Sequence, residues 1–348
     1  MRPFHLAGPR LGPFLWSVFK LGLAWWMLWV ALGLAHKNPR LAPPWVLWVV
    51  LLGSFRVLHS DVQHGNLNLV VGATVVLGIV QVARGRDALG GAAFGLGATM
   101  KVTPFLGLVW LLARGSWKGV MGLAGGVLAG LLAPAPWLGL ERSLQMAGAW
   151  TRQMLLPYLG GRELSLLQTE HINQSMLGVL ARHLTDAVAI PARARGPLEP
   201  LQINWISLEP GTFRAVHLVA SLAVLGLFFW TVWRARKQNQ GPASALGAGA
   251  LMGLAMVMLS ERSWKHHHVL LPLALVFLTW AATKERSRRL ALVLLAAAAV
   301  AFAGTGDAFL GAYGSDLAEA FGAYAFGDLV LFLGIARLLT YPDLSPDG

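Results

Sequence analysis

Apolar runs and short polar breaks alternate from one end of this chain to the other. Runs at 15–35, 41–55, 66–83, 88–113, 119–139, 213–233, 243–260, 268–283, 290–308 and 325–339 predict about ten helical segments. A helix needs about 20 apolar residues to cross the hydrocarbon of a bilayer, so the shorter runs imply tilt, local thinning or partial spans. The pattern predicts an all-α polytopic integral membrane protein, with residues 1–348 as a single membrane domain. The one long polar interruption, 140–212, reads as an insertion at the outer face. Within it SMLGVLARHL, 175–184, has helical periodicity and Asn173 or Ser175 to cap it, which predicts a short helix lying at the membrane surface.

Charge orients these segments. Basic residues gather at Lys37 and Arg40, Arg84 and Arg86, Arg114 and Lys118, Arg234, Arg236 and Lys237, and Lys284, Arg286, Arg288 and Arg289, which marks those loops as cytoplasmic. The alternate connections at 59–65, 140–212, 263–268 and 307–322 are more balanced or acidic and belong outside. The run 88–113 conflicts with this scheme, because the loops on both its sides are basic. Lys101 and Pro104 near its middle resolve the conflict as a bent pair of short helices with both ends inside, since proline removes a backbone donor. Lys101 then sits at a turn that needs protein or a wet cavity around it. Counting back places Arg2 and Arg10 outside, so a further span is expected to precede this chain.

Composition agrees. The 348 residues are 56% hydrophobic and 13% charged, against about 25% charged in an ordinary globular chain. The net charge of +12 lies in the loops, where membrane lipid accounts for it and no nucleic acid is implied. Cysteine is absent, which excludes disulfides, thiol nucleophiles and thiolate metal sites. The pairs Gly91 and Gly95, Gly126 and Gly130, and Gly249 and Gly253 have the spacing that lets helices approach closely in lipid. Gly95 and Gly97 before Lys101 do not make a phosphate loop, because the lysine does not follow a glycine.

Candidate chemistry concentrates in LSERSWKHHHVLL, 259–271, where Trp264, Lys265, His266, His267 and His268 stand between two apolar runs. Polar groups are costly there unless they are paired or face water. Consecutive histidines point in different directions, which disfavours a metal. Proton transfer and contact with a phosphate suit imidazoles better, and a solvated interface is the alternative. Lys101 is a site candidate because an ammonium at membrane depth needs a partner; a structural salt bridge is the alternative. The insertion adds Arg152, Arg162, Asn173 and Arg182.

Four separated pieces resemble glycosyltransferase family 87, a mannosyltransferase-like group of the GT-C superfamily. RVLHSDVQHGNLNLVV, 56–71, is similar to its Gly-Gln-x-Asn stretch, with Gly65 and Asn68 matching and Asn66 in place of Gln. GATMKVTP at 97–104 resembles its Lys-x-x-Pro piece, HINQSMLGVLAR at 171–182 its Asn-Gln-Ser piece, and LSERSWKHHH its Ser-Trp-x-His-His piece, with Glu261 and Arg262 departing from the pattern. The resemblance implies a GT-C-type helical bundle in a bacterial-type plasma membrane with its active face outside. It also implies transfer of a hexose, mannose, from a polyprenyl-phosphate donor to a lipid or glycan acceptor, with no cofactor and no metal. The resemblance places the catalytic base on an aspartate in a loop upstream of this chain's start. It leaves His266 and His267 as proton relay or phosphate contact, and Lys101, Arg152, Arg162, Asn173, Arg182 and Trp264 as substrate-binding candidates. A transporter or flippase, or an inactive truncated transferase, is the competing reading. Against the transporter, no internal repeat is visible and only 88–113 looks broken.

Overall fold

A computed structural model describes residues 7–156, 167–192, 199–237 and 241–340. The elements are α1 Gly8–His36, α2 Pro44–His64, α3 Asn68–Ala83, α4 Asp87–Met100, α5 Leu106–Ala113, α6 Trp117–Leu132, α7 Leu140–Met154 and α8 Met176–Leu184. They continue with α9 Pro210–Lys237, α10 Pro242–Met258, α11 Leu271–Ala282, α12 Arg288–Ala298, α13 Asp307–Ala320 and α14 Ala323–Leu339. Among the described residues there is no β-strand, only an isolated bridge between Ile190 and Leu201. The protein is an all-α polytopic membrane bundle.

By length and composition α1, α2, α6 (with the turn that follows it) and α9 are long and apolar enough to cross a membrane, and the broken pair 288–304 and 307–320, bent by 82°, is a further candidate span. The shorter helices occupy the centre. Every residue of α11 is buried, as is α10 from Leu246 to Met258, and a helix apolar all round belongs in an interior. The long helices turn large side chains such as Trp25, Trp48, Leu52 and Val219 outward, where lipid can solvate them.

The run 88–113 folds as an antiparallel pair. α4 ends at Met100, Lys101 is extended, Thr103–Phe105 make one tight turn, and α5 runs back. Its two basic ends lie together, because Gly119, just after the second loop, is packed on the carbonyl of Asp87 at the first. α6 then runs parallel to α4 at backbone contact. A Cβ on Gly91 would stand 1.9 Å from the Gly119 carbonyl oxygen, and one on Gly95 2.1 Å from that of Leu123. Gly249 and Gly253 likewise receive Ile79 and Leu270.

Helix directions sort the loops. Trp16 Nε1 donates to the Gly65 carbonyl at 3.0 Å, so the start of α1 meets the end of α2 at one end of the bundle. At the other end Gly115 lies against the Arg236 guanidinium, and Ala83, Arg114, Arg236 and Gly241 border one cavity. α10 leaves from that end and α11 returns to it, with Gly253 on Leu270 and Gly247 on Phe277. The basic loops therefore share one face, and the histidine turn lies on the opposite one.

Several connections expected as loops are helical. α2 continues through 56–64, so His59, Asp61 and His64 are helical and Asp61 turns inward. Residues 307–320 form α13, bent at Gly311. Residues 140–154 form α7, with Glu141 in its first turn and Arg152 in its last, the arrangement the helix dipole favours. The Ser175 side chain caps α8 by accepting from the Gly178 N–H at 3.1 Å.

Candidate functional site

The site is built where the ends of α1, α2 and α3 meet the tip of the α4–α5 hairpin and the turn at 264–268. Gly65 takes a left-handed conformation at the end of α2 (φ +68°) and swings the chain round so that Asn68 opens α3 beside Asp61. The Asn68 amide group donates to Asp61 Oδ1 at 3.0 Å and to the His266 carbonyl at 2.9 Å. Its oxygen accepts from Lys101 Nζ at 3.1 Å. One side chain thus ties the end of α2 to the hairpin tip and to the histidine turn, both far from it in sequence.

Asp61 is not a free carboxylate. Its Oδ2 lies 2.7 Å from Lys20 Nζ, both side chains are fully buried, and the same ammonium donates to the Asp61 carbonyl. Sequence reasoning missed Lys20, although a lone lysine inside an apolar helix is the same signal that singled out Lys101.

The triplet of histidines divides into three environments. His266 is buried, its ring 4.8 Å from that of His64 and 4.7 Å, edge-on, from that of His267. Trp264 stacks parallel to His267 at 6.2 Å. His267 Nδ1 lies 3.1 Å from both the Trp264 backbone nitrogen and the Arg262 carbonyl oxygen, so the backbone of its own turn engages that side of the ring. His268 turns into the bundle, where its Nε2 meets Asp328 Oδ2 at 2.9 Å and its ring packs edge-on against Tyr324. Burial, followed by the neighbouring His64 and Lys101, pushes His266 down to about 4. Burial and then Lys101 push His267 down to about 2. Both imidazoles are therefore neutral near pH 7 and add no positive charge to the site.

Beside this cluster Glu319 is buried between two cations, 3.0 Å from Arg56 and 3.0 Å from Lys265. Arg56 also donates to Ser315 at 2.9 Å and lies over the Tyr324 ring. Lys265 stood in the histidine cluster read from sequence, but its pairing and that of Arg56 with Glu319 were not anticipated, because the pairs join positions more than fifty residues apart that share no local pattern.

The Asn-Gln-Ser segment clamps the histidine turn. Asn173 accepts from the backbone N–H groups of Ser175 and Ser263 and donates to the carbonyls of Gln168 and Glu261, which occupies its amide fully. Gln174 spans from the His171 and Glu319 carbonyls to the Tyr324 N–H. The buried Arg182 guanidinium donates to the carbonyls of Thr169, Glu170, Asn173, Glu319 and Ala320. Burial lowers its pKa to about 10, which leaves it cationic.

Of the candidates read from sequence, Lys101, Trp264, His266 and His267 come together, while Asn173 and Arg182 support them from behind. Arg152 is exposed on the last turn of α7, and Arg162 lies outside the described residues. Asn68, Lys101, Thr103, Ser260 and His267 border a cavity of about 20 Å³, room for about one water. A sugar donor would need this site to open. Among the described residues no group of three or more His, Asp or Glu stands at metal-binding spacing.

A bundle of apolar helices that gathers buried cations, a saturated asparagine and two neutral histidines at one end has the make-up of a membrane transferase. The chain belongs to glycosyltransferase family 87, which matches residues 1–260, and is a membrane glycosyltransferase. The matched stretch takes in three of the four sequence pieces, and the Ser-Trp-x-His-His piece lies just beyond it. No curated protein and no solved structure matches the chain.

Proposed function

We propose that the protein transfers a hexose, mannose by the family resemblance, from a polyprenyl-phosphate donor to the hydroxyl of a lipid or glycan acceptor at the face carrying the histidine turn. The observation that carries this reading is the convergence of Lys101, Asn68, His266 and His267 at one end of the bundle, opposite the basic loops. That end is outside in a bacterial-type plasma membrane by the charge rule.

In the reaction the acceptor oxygen attacks the anomeric carbon, the bond from that carbon to the phosphate oxygen breaks, and polyprenyl phosphate leaves with the electron pair. The acceptor proton must go to a base. Lys101 supplies positive charge for the departing phosphate. His267, whose Nδ1 is engaged by the backbone of its own turn, lines the cavity and offers its Nε2 to a phosphate oxygen. The ring nitrogens of His266 make no hydrogen bond among the described residues, which leaves that ring free to relay the proton while staying neutral at rest. Trp264 offers its face to a sugar ring. Asn173 and Arg182 hold the turn in place.

Transfer of labelled sugar in proteoliposomes separates the roles. His266→Ala should lower turnover by about 10² to 10⁴ while donor binding survives, the range for a proton-transfer group. His267→Ala should weaken donor binding as well. Near-normal turnover in both variants would remove the histidines from the reaction and return them to a packing role.

A further inference from the structure

At the end of the bundle remote from the histidines, a cavity of about 470 Å³ opens between the bases of α3, α5, α9 and α10. Arg114 and Arg236 border it together with Ser244, and no carboxylate is among its lining residues. Neither arginine has an ion-pair or hydrogen-bond partner among the described residues, and Arg114 Nε is buried without one. The Arg236 guanidinium lies against Gly115, the neighbour of Arg114 in the chain, where an added Cβ would stand 2.7 Å from its Nη1. The positive end of α10, a helix of 17 residues, opens on the same space.

Two guanidinium groups bordering one polar cavity, Arg114 half-buried and Arg236 exposed at its rim, repel each other unless an anion joins them. A tetrahedral phosphate matches the planar fork of each, and basic pockets between helices on the cytoplasmic side are where anionic headgroups lodge. We propose that this cavity binds a phosphate group, either the phosphodiester of an anionic phospholipid or free phosphate. It is distinct from the transfer site, and it grips the base of the hairpin whose tip carries Lys101.

The test uses the purified full chain in neutral detergent, titrated with phosphatidylglycerol or with inorganic phosphate while the thermal midpoint is followed. Phosphatidylglycerol should raise the midpoint of the native chain. Arg114→Gln with Arg236→Gln should weaken the apparent affinity at least about tenfold, since each charge-assisted hydrogen bond is worth about that or more. Arg288→Gln with Arg289→Gln, an equal loss of charge on the same face, should not. Should the first pair fail to fold, Ala245→Asp places a carboxylate in the cavity at a helix N-terminus, where it is favourable, and should abolish the response. A response to phosphatidylglycerol alone identifies a lipid headgroup, and an equal response to inorganic phosphate identifies the free anion. No response in the native chain, or a native response retained in Arg114→Gln with Arg236→Gln or in Ala245→Asp, overturns the proposal.

Discussion

Lys20 and Asp61 show how much of this site rests on single buried charges. Each is fully buried, and their separation of 2.7 Å sets α1 against α2 beneath the histidine turn. Removing one partner from such a pair leaves an uncompensated charge in an apolar interior, which costs about 3–5 kcal/mol, whereas removing both costs much less. Lys20→Met and Asp61→Asn should therefore each destabilise the solubilised protein strongly, and the double variant should recover much of the loss. Independent, additive losses would show that the two charges are not coupled. The pair was half legible in sequence. Asp61 lay in the stretch carrying the Gly-Gln-x-Asn resemblance, but nothing local told that it pairs with Lys20 41 positions earlier. His268 with Asp328 and Arg56 with Glu319 were hidden for the same reason, since burial and distance in sequence leave no periodic trace. Asn173 and Arg182 were visible as polar residues, but their saturation by backbone carbonyls was not.

Elements were easier to read than residues, because helices and breaks follow local chemistry. The kink around Lys101 and Pro104, the Ser175 cap and the close-packing glycines could all be named before their partners were known. What sequence could not say is that α6 packs parallel to α4 rather than on some other helix. The glycine contacts make this testable. Gly95→Val would push a side chain into the Leu123 carbonyl oxygen, 2.1 Å from the new Cβ, and should separate α4 from α6. Overpacking of this kind costs about 1–3 kcal/mol or more. Gly125→Ala is the control: it lies in α6, the partner helix, with nothing within 4 Å of the added Cβ. It should be neutral or stabilising by up to about 1 kcal/mol through helix propensity. Thermal midpoints that fall equally in both variants would refute the contact and leave only a general intolerance of substitution in these two helices.

For the whole molecule the question is which face looks outward. The loops at 84–86, 114–116 and 234–237 converge at one end, and the turn at 264–268 and the end of α2 lie at the other. The charge rule predicts that a bilayer holding the bundle has the basic end in the cytoplasm, where lysine and arginine near helix ends are retained. The absence of native cysteine makes single-cysteine labelling clean. In intact cells an impermeant thiol reagent should label Ile206→Cys, which is exposed on the histidine side, and spare Lys237→Cys. Arg86→Cys and Ser116→Cys flank the α4–α5 hairpin and should both be spared, then both become reactive once the membrane is permeabilised. Labelling of one but not the other would make 88–113 a single crossing and detach Lys101 from the site. Labelling of Lys237→Cys with protection of Ile206→Cys would invert the protein and move sugar transfer to the cytoplasmic face.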